Sequence, residues 1–273
     1  MSKKVFVIDV AKCNGCHSCQ IVCKDEHVAN DWTPISKPQP DTGQFWLELT
    51  ERVRGSVPKV KVAYRPHLCM HCDQAPCQDA CQVKAIYKRE DGLVIIDPVK
   101  CTGCKSCVDA CPYTVIFFNE GLNIAQKCTG CAHLLDSGWK EPRCADACPT
   151  LTIRFMDEAE AKKFIPDAEV WKPELKGKVK PRVYYLNLPK KFIAGTVYDP
   201  VEKEVIIGAT CRLVESRGGK ELTVKTDDYG DFWFEGLADG KYSLEIRKDD
   251  KIKSFTGLNT EERDINLEDI PLT

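Results

Sequence analysis

Sixteen of the seventeen cysteines in this 273-residue chain fall between Cys13 and Cys148, in four groups of four. The groups are Cys13, Cys16, Cys19 and Cys23; Cys69, Cys72, Cys77 and Cys81; Cys101, Cys104, Cys107 and Cys111; and Cys128, Cys131, Cys144 and Cys148. Each opens C-x-x-C and closes C-x-x-x-C, and only the middle gap differs, at two, four, two and twelve residues. A C-x-x-C turn brings two thiolates to one metal centre with backbone N–H groups aimed at the sulfurs. A helix starting near the third cysteine carries the fourth one turn further on. That displacement points the fourth thiol away from the first three, toward a neighbouring centre, as in C-x₂-C-x₂-C-x₃-C-P iron–sulfur runs.

Cross-ligation of this kind makes the groups work in pairs. Only 19 residues lie between Cys81 and Cys101, which pairs the second group with the third and leaves the first to pair with the fourth. The expected ligand sets for four [4Fe–4S] clusters follow. The first is Cys13, Cys16, Cys19 and Cys148, and the second is Cys128, Cys131, Cys144 and Cys23. The third is Cys69, Cys72, Cys77 and Cys111, and the fourth is Cys101, Cys104, Cys107 and Cys81. Pro112 and Pro149 follow the last cysteine of their groups and stop the helices there.

Two other chemistries use cysteine this densely. Four Cys₄ zinc sites would also consume sixteen thiols, but zinc modules do not normally follow C-x-x-C with C-x-x-x-C. A disulfide framework belongs to exported chains. The start "MSKKVFVIDV" carries no apolar run of signal length and no twin-arginine pair. The expected location is therefore the cytoplasm, the alternative being export together with a signal-bearing partner. His17, His27, His67, His71 and His133 are not needed as ligands, because every cluster already has four cysteines. They are expected to pack at cluster edges, hydrogen-bond sulfur or face a partner. Lys12, Lys100, Lys105, Lys127 and Arg143 are candidates to offset the negative charge of the loaded clusters, with plain surface charge as the alternative. Cys211 stands alone and reads as a buried strand residue.

A formal charge of −2 leaves no basic field for nucleic acid, and no stretch approaches the 18 apolar residues of a membrane span. Outside the cysteine groups, "FWLELTERV" and "KVKVAY" alternate as strands. Trp32 and Trp46 in that insertion are open to two readings, core or docking surface. "EDGLVIIDP" reads as a hairpin arm and "DEAEAKKF" as a short surface helix. Residues 166 to 190 are rich in Pro and Lys and read as an extended linker. The last 80 or so residues alternate between turn signals at Asp228-Tyr229-Gly230 and Asp239-Gly240, as a β-sandwich does. No catalytic constellation is visible. The expected organisation is α+β. Residues 1–155 form a duplicated ferredoxin-like 4Fe–4S domain with insertions, 156–190 a linker, and 191–273 an all-β sandwich of transthyretin-like or carboxypeptidase-regulatory-like form.

Four such groups in this order, with a long gap in the fourth, resemble the electron-transfer small subunits of the molybdopterin (DMSO reductase) family. "VIDVAKCNGCHSC", "YRPHLCMHCDQAPC", "REDGLVIIDP", "IAQKCTGCAHLLD" and "KPRVYY", followed by a β-sandwich tail, are similar to the small subunits of pyrogallol–phloroglucinol transhydroxylases and related anaerobic phenol hydroxylases. The resemblance implies a large catalytic subunit bearing molybdenum on molybdopterin guanine dinucleotide, an external electron carrier, and no catalysis by this chain. It also implies a departure: the transhydroxylase small subunits lack a full cysteine set in the third group, whereas Cys101, Cys104 and Cys107 are all present here. The rival readings are the small subunit of another molybdenum oxidoreductase of the DMSO reductase family and a free polyferredoxin, and an 80-residue β-tail argues against the second.

Overall fold

β1, Lys4–Asp9, lies at the centre of a three-stranded sheet, and its run Val5-Phe6-Val7-Ile8 is buried on both faces. A strand covered on both sides needs this continuous apolar run rather than an alternation. The computed structural model describes residues 2–216, 218–219 and 221–273. The chain divides into two units. The first is Met1–Glu51 with Ala63–Leu188, and the second is Arg52–Val62 with Pro189–Thr273.

In the first unit, α1 spans Ser18–Val28. The strands β2, Leu47–Ser56, and β3, Lys59–Leu68, form a hairpin. Helix α2, Pro76–Asp79, precedes a second hairpin of β4, Ile86–Lys88, and β5, Val94–Ile96. Helix α3, Ser106–Ala110, precedes a third, of β6, Phe117–Asn119, and β7, Ile124–Gln126. Helices α4, Ala132–Asp136, and α5, Arg143–Asp146, lead into β8, Ile153–Asp157, antiparallel to β1. Helices α1, α2, α3 and α5 each begin one residue before the third cysteine of their group, as the spacing requires. Among the described residues α1 is the one α-helix longer than five residues, so the unit is richer in strand than its α+β reading suggests.

Of the stretch expected to be a linker, 156–190, residues 156–188 belong to the first unit and Pro189 and Lys190 to the second. Short helices α6, Glu158–Ala161, and α7, Lys176–Val179, lead to β9, Val183–Leu186, which pairs in parallel with β1. Arg182 fastens this return. It is buried, donates to the Lys4 carbonyl at 3.0 Å, and pairs with Asp73 and Glu158 at 3.0 Å each. A buried guanidinium held by two carboxylates makes strong, directional hydrogen bonds.

The second unit packs two four-stranded sheets around one core. One sheet holds β10, Lys191–Asp199; β11, Glu204–Val205; β14, Asp231–Leu237; and β17, Ile265–Pro271. The other holds β12, Thr210–Glu215; β13, Glu221–Lys225; β15, Lys241–Lys248; and β16, Lys251–Asn259. Period-two positions fill the core: Ile193 and Val197, Cys211 and Leu213, Phe232 and Phe234, Leu244 and Ile246. The expected sandwich and the buried strand position of Cys211 are both present. The parallel pairing of β17 with β10 is not foreseen by alternation. Nor is the tip of the β2–β3 hairpin, residues 52–62, which belongs to this unit. There Lys59 is buried, pairs with Asp231 and lies 5.9 Å from the Trp233 ring. Arg54 meets Asp264 at 3.1 Å. Gly55 has φ +84, and a Cβ there would stand 2.2 Å from the Lys59 carbonyl oxygen, so the bend requires glycine.

Candidate metal centres

The C-x-x-C segments are tight left-handed turns. Gly103 (φ +74) lies between Cys101 and Cys104, and a Cβ on it would come within 2.5 Å of the Asn123 carbonyl oxygen. In the second group the corresponding place is held by His71, which adopts φ 43 and is buried. The turns aim backbone N–H groups at sulfur. His71 donates to Cys69 Sγ at 3.4 Å, and Gly130 to Cys128 Sγ at 3.4 Å. Thr152 donates to Cys148 Sγ at 3.2 Å and Ala125 to Cys101 Sγ at 3.5 Å. Such donors stabilise thiolate and tune any iron it binds.

Four cavities open between these turns, and each is lined by four cysteines. Cys13, Cys16, Cys19 and Cys148 surround the first, and Cys23, Cys128, Cys131 and Cys144 the second. Cys69, Cys72, Cys77 and Cys111 surround the third, and Cys81, Cys101, Cys104 and Cys107 the fourth. Every cavity takes three thiols from one group and the fourth from another. A wider cavity, about 790 Å³, lies elsewhere: it belongs to the second unit and is lined by Lys190, Lys191, Glu235 and Glu262 with no cysteine.

Electrostatic contact between thiols gives the cavities an order. Burial is the main force raising these thiols, and neighbouring thiolates add to it. Cys19 of the first cavity pushes up Cys23 and Cys144 of the second. Cys69 of the third pushes up Cys128 of the second, whose pKa reaches about 11. Cys107 of the fourth pushes up Cys77 of the third, to about 12. The sequence in space is therefore first, second, third, fourth. Exposure follows it. Cys16 and Cys104, at the two ends, are exposed, while all four thiols of the second cavity are buried.

Thiols raised this far do not ionise unaided near neutral pH, and a cationic metal core reverses that balance. The donor sets fit such a core. Trp46 Nε1 and Thr129 Oγ1, on the wall of the second cavity, and the Tyr113 hydroxyl, on the wall of the third, are buried without a hydrogen-bond partner. An indole N–H can only donate, so it calls for an acceptor inside the cavity. Among the described residues no three His, Cys, Asp or Glu side chains are disposed to hold a single metal ion. Mononuclear zinc needs four donors at about 2.0–2.3 Å from one point.

The histidines and cations sort themselves clearly. His17 is exposed. His133 contacts Glu26 Oε1 at 3.0 Å and stacks on Trp32 at 4.3 Å. His27 is buried against Trp46 at 4.7 Å, and burial holds its pKa down to about 3. Burial, with Arg65 and Lys172, lowers His67 to about 4. His71 accepts the Val94 N–H at 3.0 Å. Trp46 is 2% exposed, and Trp32 donates to the Glu26 carbonyl at 3.1 Å. Of the five expected cations, Lys12 and Lys100 lie outward against Asp9 and Asp97, and Lys105 against Glu120. Arg143 meets Glu26 and Asp146. Lys127 alone of the five is buried; it donates to the carbonyls of Val94 and Cys128, and its charge lowers the thiols of Cys77 and Cys128. Sequence reasoning missed the wall formed by Trp46, Leu47 and Thr129. The Leu47 N–H serves Cys23, and nothing in the cysteine spacing points to it.

Ordered, thiol-lined cavities with buried centres and exposed ends define an iron–sulfur electron-transfer protein. Comparison with known proteins agrees. Residues 60–158 match the 4Fe-4S dicluster domain family, and residues 193–269 the carboxypeptidase regulatory-like domain family. The chain is 43% identical to the pyrogallol hydroxytransferase small subunit of Pelobacter acidigallici, over 94% of each chain. It is 34% identical to a tetrathionate reductase subunit of Salmonella typhimurium, over 69% of this chain and 74% of that one. It is 31% identical to the arsenate respiratory reductase iron–sulfur subunit of a Shewanella strain, over 58% of this chain and 83% of that one. The chain belongs to the iron–sulfur electron-transfer small subunits of the molybdopterin (DMSO reductase) family. Among the described residues no helix is long and apolar enough to cross a membrane.

Proposed function

We propose that the sixteen cysteines hold four [4Fe–4S] clusters in the four sets that line the cavities, on a duplicated ferredoxin-like scaffold. The chain then relays electrons between a large subunit carrying molybdenum on molybdopterin guanine dinucleotide and an external carrier. The substrate at that large subunit is a small phenol. Each cluster, when bound, supplies a one-electron donor and acceptor. The chain supplies the rest. Its thiolates fix four stations in line, its backbone N–H groups bond the sulfurs, and its apolar walls, such as Met70, Val94 and Ile116 around the third cavity, exclude water. Exposed Cys16 and Cys104 put the ends of the line within reach of partners.

The observation that carries this reading is the set of four cavities, each with four thiols, ordered so that burial peaks in the middle. The phenolic substrate is supported by the reach of the likeness. The pyrogallol hydroxytransferase small subunit matches over 94% of this chain, tail included, whereas the tetrathionate and arsenate relatives match 69% and 58%. Anaerobic purification of the native complex, with metal analysis, tests it. The expected result is a co-purifying large chain with molybdenum, and about sixteen irons per small chain. Iron near eight, zinc in place of iron, or no large chain and no molybdenum would overturn it.

A further inference from the structure

The four cavities are not equivalent in what else lines them. Trp46 and Thr129 line the second cavity, and Trp46 Nε1 and Thr129 Oγ1 are buried with no partner among the described residues. Their residues are 2% and 3% exposed, so bulk water does not satisfy them. The first and fourth cavities are bordered by no such atom among the described residues, and the third by the Tyr113 hydroxyl alone. An unpaired buried donor is costly, so two at one cavity call for acceptors there. His27 Nδ1 borders the same cavity and is also unpartnered, but it donates in only one tautomer and carries no weight here.

Resting on the four-cluster reading, we infer that Trp46 and Thr129 are positioning residues that donate hydrogen bonds to the cluster held by Cys23, Cys128, Cys131 and Cys144. They raise its potential above what its thiol ligands alone would give. A donor aimed at sulfur stabilises the more negative, reduced state more than the oxidised one, so it raises the potential. Backbone donors are not what sets this cavity apart: the N–H groups of Leu47, Gly130, Arg143 and Cys69 serve its thiols, and those of Gly15, Gln20, Thr152 and Ile153 serve the first set.

The test is an anaerobic redox titration of the whole complex, read by electron paramagnetic resonance, with Trp46→Phe, Thr129→Val and the pair. Phe keeps the ring and loses the N–H, and Val keeps the shape of Thr and loses the hydroxyl. In the double variant the reduced-to-oxidised ratio of one cluster at fixed potential is expected to fall about tenfold, which for one electron is 59 mV. The other three are expected to hold, and Thr129→Ser to restore its share. Four unchanged potentials in a fully loaded double variant would overturn the inference. Should Trp46→Phe lose iron, the unaltered complex with ¹⁵N-indole labelling decides. Among the described residues Trp46 is the one tryptophan bordering any of the four cavities. A ¹⁵N hyperfine coupling on a reduced cluster supports the inference, and its absence overturns it. A native complex without about sixteen irons would instead sink the four-cluster reading itself.

Discussion

The two units build their cores from different materials. The core of the second unit is self-sufficient: Phe232, Phe234, Leu213, Leu244 and Ile246 interdigitate between two sheets, and one cysteine, Cys211, packs among them. The core of the first unit is shared with ligand positions. Cys19, Cys23, Cys69, Cys72, Cys77, Cys107, Cys128 and Cys144 are buried members of the same cluster as Phe6, Ile95 and Tyr185. Apart from α1, the chain around the thiols is tight turns and helices of four or five residues, too short to stand alone. Here the metal does what apolar packing does in the sandwich, and its binding energy becomes folding energy.

The largest expected effect follows directly. Chelation of iron from the full chain should remove the protease resistance of the first unit and leave that of residues 189–273 intact. Limited proteolysis read by mass spectrometry checks it. Survival of both units, or loss of both together, would break the comparison. A narrower version asks about one thiol. Cys128→Ser alters a ligand of the second set that is neighboured by Cys69 of the third. Iron is expected to fall from about sixteen to about twelve per chain, with electron transfer between the two ends cut. Cys104→Ser, at an exposed end, is expected to spare the second and third stations. Equal loss in both variants would argue against an ordered line.

How much of this is readable without coordinates depends on how far apart the partners lie. The cysteine grammar is legible because C-x-x-C and C-x-x-x-C encode local geometry, a turn and then a helical step. The sandwich is legible because period-two burial is written into "FWFEGL" and "YSLEI". Residues 156–190 misled because their order comes from distant partners. Val183–Leu186 is a four-residue strand whose parallel neighbour, β1, begins at Lys4, and Arg182 looks like ordinary surface charge until Asp73 and Glu158 surround it. Trp46 is legible as an aromatic, but the direction of its N–H is not. The hairpin "KVKVAY" shows its strands and hides that Lys59 is buried at their tip.

That tip offers a change confined to the second unit. Gly55→Ala forces a Cβ into the Lys59 carbonyl and the Phe192 ring, at 2.2 and 2.6 Å, on a backbone at φ +84. The expected cost is about 2–3 kcal/mol from strain and the displaced Phe192. Calorimetry should show the transition of the second unit moving down while the iron content stays put. A fall in iron with no such shift would mean that the hairpin tip serves the first unit instead.

The smallest effect is the sharpest contrast, because it uses the same residue type. Cys211 is fully buried, its thiol is pushed up to about 12 by burial alone, and its sulfur lies 3.9 Å from the Ala209 carbonyl, beyond a strong hydrogen bond. It therefore acts as a small hydrophobe. Cys211→Ala removes one sulfur-sized volume and is expected to cost about 1 kcal/mol, comparable to a deleted buried methylene. Iron content and every cluster potential should be unchanged, as metal analysis and the same redox titration can show. Cys211→Ser should cost more than Ala, since it buries a hydroxyl among Leu213, Phe232 and Leu244. If Ser were instead the milder change, this cysteine would be acting through its polarity, and the division between a metal-built core and a self-packed one would not hold at the residue that tests it most directly.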